Sequence, residues 1–320
     1  MTKILILRFS SIGDIVLTSP VIRCLKMQIP DVEVHFCTKP SFKECLEYNP
    51  YIDKIYLLEH RLNDLIKQLA QEKYDYIIDL HHNLRTLIIK KRLGVKSYSF
   101  EKLNFKKWLL VKFKINWMPN IHIVQRYLKT VEPLNVKDDE KGLDFFIPEH
   151  LKISTLIFPL AFRVGYVAFV IGAQHNTKKM TAEKIIEFAR IINQPVVLIG
   201  GKQDFALGEK VYKILYDLDI PVQNTCGKYT LIESASLLTS ANFIVSNDTG
   251  LMHIAAALKK KIFVAWGSTV PSFGMYPYKT EYVNIENNNL PCRPCSKIGF
   301  NVCPKKHFNC MLTLNFPGNK

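Results

Sequence analysis

The stretch Phe243-Ile244-Val245-Ser246-Asn247-Asp248-Thr249-Gly250-Leu251-Met252-His253, continued by Ile254-Ala255-Ala256-Ala257-Leu258, decides the fold. An apolar β-branched run, a polar cluster and a second apolar run read as strand, tight turn and helix, with the polar residues at the strand's carboxyl end. A helix starting at Thr249 or Gly250 leaves several backbone N–H groups without intrahelical acceptors, and with the helix dipole they make an anion site. Gly250 has no Cβ, so a phosphate can approach its backbone closely. Asp248 and Thr249 add an acceptor and a hydroxyl, and His253 lies about one helical turn further in. The same residues also fit a plain Asp/Thr cap ahead of a buried helix, with His253 a satisfied histidine, so other stretches must decide.

The same alternation runs along the whole chain. Lys3–Phe9, Val32–Thr38, Ile52–Leu58, Tyr74–Leu80 and Leu143–Ile147 read as strands, and Leu62–Gln71, Leu84–Lys91, Leu103–Phe113 and Ile121–Leu134 as helices. After Pro148 it resumes: strands at Tyr166–Ile171, Pro195–Ile199, Phe243–Val245 and Ile262–Ala265, with helices at Ala182–Ile192, Phe205–Leu218 and Leu231–Ala241. Thr181 and Thr230 read as caps of the first and third of these helices. Repeated strand–helix units predict parallel sheets with helices on both faces. A length of 320 residues fits two domains. We expect them at 1–155 and 156–320, with parallel sheets facing a central cleft.

Apolar residues make up 48% and charged residues 22% of the chain, a soluble globular balance, but the net charge of +15 implies a polyanionic partner. The basic residues are spread over many elements, which favours a charged face on a folded enzyme over a disordered nucleic-acid arm. Met1-Thr2-Lys3 runs straight into Ile4-Leu5-Ile6-Leu7 without a signal-peptide pattern. Ser154–Ala173 is apolar enough to weigh as a membrane span, but Pro159 and a central Arg163 oppose that, and its second half reads as a buried parallel strand.

Four further loops follow strands, where open α/β sheets bind ligands. Arg8-Phe9-Ser10-Ser11-Ile12-Gly13-Asp14 matches no dinucleotide fingerprint, and no GxxxxGK[ST] occurs. It offers one glycine and a carboxylate, Asp14, near the entrance of a helix opened by Thr18-Ser19-Pro20. Asp14 is there either a general base or a cap. Asp79-Leu80-His81-His82-Asn83-Leu84-Arg85-Thr86 places polar groups against a sugar. Adjacent His81 and His82 point to opposite faces in extended chain and seldom share a metal. Gly172-Ala173-Gln174-His175-Asn176-Thr177-Lys178-Lys179 brings two lysines to a strand end, suiting a diphosphate or a solvated charge pair. Gly200-Gly201-Lys202-Gln203-Asp204 places a carboxylate within reach of a ribose.

With these stretches in order, the chain resembles glycosyltransferase family 9, the ADP-heptose:lipopolysaccharide heptosyltransferases. The resemblance rests on Ser10–Asp14 with its continuation Ile15-Val16-Leu17-Thr18-Ser19-Pro20, on Asp79–Thr86, on Ser246–His253 and on Cys292–Met311. It implies a GT-B fold of two Rossmann-like domains, the first holding the acceptor and the second the nucleotide-sugar. It implies Asp14 as the base of an inverting transfer and Lys178 on the donor diphosphate, with Lys179, Asp204, Asp248, Thr249, Gly250 and His253 also donor-binding. Ser10, Ser11, Gly13, His81, Asn83 and Arg85 are then acceptor-binding. The implied donor is ADP-heptose and the acceptor an anionic lipid A/core glycolipid, reached by peripheral contact with the cytoplasmic leaflet of the inner membrane. Arg85, Arg92, Lys106, Lys107, Lys112 and Arg126 are candidates for the basic face toward it. Lys178 and the helix N-terminus supply the positive charge, so no cofactor is required for catalysis, with Mg²⁺ in a stimulatory role at most. The lysine loop departs from the family's usual Trp-Pro continuation, reading Lys178-Lys179-Met180-Thr181 here.

Cys292, Cys295, Cys303 and Cys310 cluster with His307 between the last two, and three states fit them: a structural Zn²⁺ or Fe site, free thiols, or disulfides. Cys24, Cys37, Cys45 and Cys226 read as small core residues. Three rival functions differ in what they require. A family-9 transferase using another nucleotide-sugar keeps every site above. A nicotinamide oxidoreductase needs the missing glycine fingerprint, and a non-catalytic basic binding protein for nucleic acid needs a clustered basic stripe with stacking aromatics.

Overall fold

The computed structural model describes residues 1–317. Two compact units emerge: Met1–Lys102 with Ile121–Phe146, and Leu103–Asn120 with Ile147–Lys320. The units are therefore not contiguous along the chain, because residues 103–120 group with the second. Lys114 shows one reason, since its Nζ donates to the carbonyls of Cys292 (3.1 Å) and Pro294 (2.7 Å).

In the first unit β1 (Thr2–Leu7), β2 (Val32–Thr38), β3 (Lys54–Leu57), β4 (Tyr76–Asp79) and β5 (Lys96–Ser99) pair in the order β3-β2-β1-β4-β5, every pair parallel. Its helices are α1 (Ile12–Val16), α2 (Ser19–Gln28), α3 (Leu62–Gln71) and α4 (Leu84–Leu93), with α6 (Ile123–Leu128) following α5 (Asn104–Phe113) of the second unit. The central strand reads as an unbroken apolar run because both its faces are covered: Ile4, Leu5, Ile6 and Leu7 are all fully buried.

In the second unit β6 (Val167–Val170), β7 (Val196–Ile199), β8 (Val222–Asn224), β9 (Phe243–Asn247), β10 (Ile262–Trp266) and β11 (Tyr282–Glu286) pair in the order β11-β10-β9-β6-β7-β8, again all parallel. Helices α7 (Ala182–Ile192), α8 (Phe205–Asp217), α9 (Leu231–Ser240), α10 (Gly250–Ala257) and α11 (Asn309–Leu312) complete it. Thr181 and Thr230 cap α7 and α9 through their side chains, as the sequence predicts.

In each sheet the strand order reverses beside the first strand. The reversals fall between β1 and β4 and between β6 and β9, the positions where open α/β sheets leave room for a ligand.

Several expectations fail for identifiable reasons. Leu143–Ile147 is not a strand: the Asp144 N–H donates to Ser19 Oγ (2.8 Å) and its carboxylate pairs with Arg23, so side chains hold this segment instead of a ladder. Ile121–Leu134 is not one helix, for α6 stops at Leu128 and Pro133 sits in a separate 3₁₀ turn, Glu132–Leu134. β5, β8 and β11 escape the sequence reading because each is an edge strand with polar residues at several positions. Ser154–Ala173 forms two 3₁₀ turns and β6, and among the described residues no helix is long and apolar enough to cross a membrane.

Candidate active site

In the first unit the chain leaves β1 at Arg8, passes a cis Ser10–Ser11 peptide and enters α1. Asp14 is the third residue of that short helix, which the sequence reading did not give, and it precedes the helix opened by Thr18-Ser19-Pro20. Its Oδ2 accepts from the Ser11 hydroxyl (2.8 Å) and the Ser11 N–H (3.2 Å), closing a capping box. Its Oδ1 pairs with Arg8 Nη2 at 2.6 Å. Arg8 is itself held on three sides. It donates to Ser10 O (2.7 Å), to the Tyr127 hydroxyl (3.0 Å) and to the Leu80 carbonyl at the end of β4. Burial works against the Arg8 charge, but Asp14, the Tyr127 hydroxyl and Asp79 outweigh it and hold the guanidinium above its ordinary pKa. The β1–β4 reversal is thus locked by one arginine, which presents Asp14 in a fixed orientation.

The second loop at this reversal surrounds the same arginine. His81 packs edge-on against Phe9 with ring centroids 5.2 Å apart, and its Nδ1 is buried with no hydrogen-bond partner among the described residues. Burial first, then the charges of Arg8 and Lys102, push the His81 pKa down to about 4, so the imidazole is neutral at pH 7. His82 turns away and bonds the Phe100 carbonyl at 3.0 Å, which agrees with the argument that the two histidines do not share an ion. Asn83 caps α4, accepting from the Thr86 N–H at 3.0 Å, so its side-chain oxygen serves the helix. Arg85 is exposed on the first turn of α4, Ser10 is half-buried and Ser11 exposed, and Gly13 is buried beneath them. Arg126, expected on a basic face, is instead buried, with its Nη1 donating to the Glu101 carbonyl at 3.1 Å.

In the second unit α10 starts at Gly250 with Thr249 as its N-cap residue, whose side chain makes no cap bond. Asp248 Oδ2 pairs with Lys178 Nζ (2.6 Å) and accepts from the Thr269 hydroxyl (2.7 Å). Buried Asn247 ties the three segments together: its Oδ1 accepts from the Met180 N–H (3.0 Å) and its Nδ2 donates to the Val170 (3.3 Å) and Ile171 (2.9 Å) carbonyls. Lys178 and Lys179 thereby stand at the β6–β9 reversal together with the first turn of α10. His253 does not line an opening, because it is buried within α10.

Asp204 is also placed differently from the expectation that it meets a ribose. It is 1% exposed, with Oδ1 taken by Lys179 Nζ (2.7 Å) and Oδ2 by the Gly201 N–H (3.0 Å). A Cβ on Gly172 would lie 2.5 Å from Asp204 Oδ2, so the glycine at that strand end makes room for the buried carboxylate. Asp204 therefore supports Lys179 from behind.

Of the three states the sequence leaves open for the cysteine segment, disulfides are absent among the described residues. Among the described residues no three His, Cys, Asp or Glu side chains are grouped as metal ligands, and the thiols are free. Cys295 Sγ donates to the Cys292 carbonyl (3.1 Å), Cys292 Sγ faces His307 Nε2 (3.8 Å) and Cys310 is buried. Burial first, then neighbouring cysteines, push the Cys295 and Cys310 thiols up to about 11. What the segment supplies is Arg293. Buried, it donates to the carbonyls of Trp266 (3.2 Å), Gly267 (2.8 Å) and Thr269 (3.1 Å), fixing the loop that carries the partner of Asp248.

Arg8, Asn247, Thr269 and Arg293 are the residues that sequence reasoning missed. Arg8 carried a signal, a lone charge ending an apolar strand. The other three became visible only through their partners.

Two all-parallel Rossmann-like units, each with charged side chains at its sheet reversal, are the units of the GT-B fold class. The profile of glycosyltransferase family 9 (heptosyltransferase) matches residues 62–306, and the chain belongs to that family. Lipooligosaccharide heptosyltransferase 2 of Campylobacter jejuni is 27% identical over 315 residues, covering 95% of this chain and 91% of the relative. Two solved structures share the fold. A family-9 glycosyl transferase of Veillonella parvula has a TM-score of 0.73 at 20% identity, over 89% of this chain and 86% of the other. The ADP-heptose LPS heptosyltransferase II of Escherichia coli has a TM-score of 0.71 at 18% identity, over 98% of both chains.

Proposed function

We propose that this glycosyltransferase transfers a heptose from ADP-heptose to an anionic, lipid-linked core saccharide of lipopolysaccharide, with inversion at the anomeric carbon. The observation that carries the reading is the placement of opposite charges at the two reversals: a carboxylate held toward solvent after β1, and two lysines with a helix N-terminus after β6 and β9. The names of the relatives point to the same donor and acceptor class. The first unit would hold the acceptor and the second the nucleotide-sugar.

In this reaction an acceptor hydroxyl attacks the anomeric carbon from the face opposite ADP while Asp14 takes the hydroxyl proton. The new carbon–oxygen bond forms as the bond to ADP breaks, and that bond's electron pair remains on the departing phosphate oxygen. Lys178, Lys179 and the first-turn N–H groups of α10 meet the developing charge. The positive charge for this step thus comes from the chain itself. The enzyme works from the cytoplasm at the surface of the inner membrane, where its acceptor resides.

Calorimetry with ADP, UDP, GDP and NAD⁺ tests the donor. We expect selective ADP binding in the wild type, weakened at least about tenfold in Asp248→Ala, which loses the anchor of Lys178. A preference for UDP or GDP would keep the reaction class and overturn the sugar, and NAD⁺ binding would overturn both.

A further inference from the structure

The second unit carries a surface that its reaction does not use. Residues 103–120 contain four aromatic and four lysine side chains and no acidic residue. Leu109 and Leu110 seat α5 on the protein, whereas Phe105, Trp108 and Phe113 face outward, Phe105 at 63% exposure. Phe105, Trp108 and Lys112 share one stripe at helical spacing. Phe105 and Trp108 stack at 6.0 Å and Phe113 packs edge-on to Trp108 at 5.1 Å, so the rings form a preassembled cluster open to solvent. Trp117 beyond the helix is 62% exposed, and two of the chain's three tryptophans are therefore on this surface while Trp266 is buried.

Lys114 joins this helix to the cysteine segment. Its Nζ donates to Val111 O (2.9 Å), Cys292 O (3.1 Å) and Pro294 O (2.7 Å), and a cavity of about 410 Å³ between the two is lined by Lys114, Cys292, Cys295 and Lys305. The joined segment presents exposed Ile298 and Val302, flanked by exposed Lys297, Lys305 and Lys306, and residues 291–306 again contain no acidic residue.

Clustered aromatics and aliphatics amid lysines, with no acidic residue in either segment, match one kind of surface: an anionic bilayer interface. There, rings sit at headgroup depth and ammonium groups reach the phosphates. We propose that α5, Trp117 and the Ile298–Val302 loop form a membrane-docking surface that inserts its apolar side chains into an anionic leaflet. Its purpose rests on the proposed lipid-linked acceptor; its chemistry does not. Insertion adds apolar contact to the diffuse attraction of a +15 chain, which explains why large rings stand exposed where charge alone would suffice.

The test uses the full chain with vesicles of equimolar phosphatidylcholine and phosphatidylglycerol, and with phosphatidylcholine alone. Tryptophan emission should shift to the blue and be quenched by lipids brominated in their tails, on the anionic vesicles only, with Trp108 and Trp117 as the reporters. Phe105→Ser/Trp117→Ser should lose at least about tenfold in vesicle partitioning. Ile298→Ser/Val302→Ser, on a separate segment, should also weaken it. Both should keep ADP binding as evidence of an intact fold. Wild-type binding without quenching, or unchanged partitioning in both apolar variants, would mean electrostatic adsorption only and overturn insertion. No vesicle binding at all would leave this face to a protein partner and overturn the proposal. Vesicle binding without ADP binding would instead strike the donor assignment and leave the docking surface standing.

Discussion

The two sheet reversals use the same device with opposite polarity. After β1 the cation is the more buried member: the Arg8 side chain is 10% exposed and that of Asp14 20%. After β6 and β9 the carboxylate is the more buried, with Lys179 at 16% against Asp204 at 1%, and Lys178 at 16% against Asp248 at 12%. A buried partner orients and an exposed partner acts. The first unit therefore offers a carboxylate to solvent, suited to taking a proton, and the second offers ammonium groups, suited to a diphosphate. One ancestral type of fold can thus carry both halves of a group transfer by choosing which charge to bury.

The sharpest way to break this contrast is at Asp14. Asp14→Asn keeps the acceptor for the Ser11 cap but removes the base, so kcat should fall about 10²–10⁴-fold in a heptose-transfer assay while ADP affinity is unchanged. A loss under about tenfold would leave Asp14 a cap alone.

Lys179→Met probes the opposite burial. It strands the Asp204 carboxylate in the interior, and stability measured by urea unfolding should fall by about 3 kcal/mol. A loss below about 1 kcal/mol would show that Asp204 is not a buried support.

The smallest effect concerns His81, beside Arg8. Its imidazole should titrate near 4 by NMR, against an ordinary value near 6.5. Because the folded value is the lower one, the unfolded chain binds the proton more readily. This contribution to stability is complete above about pH 6.5 and is lost as pH falls through about 4. Midpoints near 6.5 would place the ring in water and remove it from the Arg8 cluster.

How much of this was legible beforehand varied with the range of the signal. Phe243–Leu258 gave β9, the turn and α10 almost to the residue, because a buried parallel strand and a capped helix announce themselves in consecutive residues. Edge strands such as β5 did not, since half-exposed positions tolerate polar residues and blur the period. The loop that carries Asp14 is legible in consecutive residues, but the Arg8 pairing that orients its carboxylate is not. The inward turn of Asp204, in the 3₁₀ turn after β7, and of His253, within α10, was not legible, since local sequence does not say which side chain folds inward.

The amino-acid sequence by itself determined the alternating α/β pattern, the loops that carry chemistry and the family. These are properties of periodicity and of short ordered motifs, which act within a few residues. Tertiary structure alone decided which member of each ion pair is buried, that Arg126 leaves the surface, that the four clustered cysteines form no disulfide, and that residues 103–120 join the second unit. Each of those outcomes depends on packing between segments far apart in the chain, where the cost of desolvating a charge is set by what happens to lie against it.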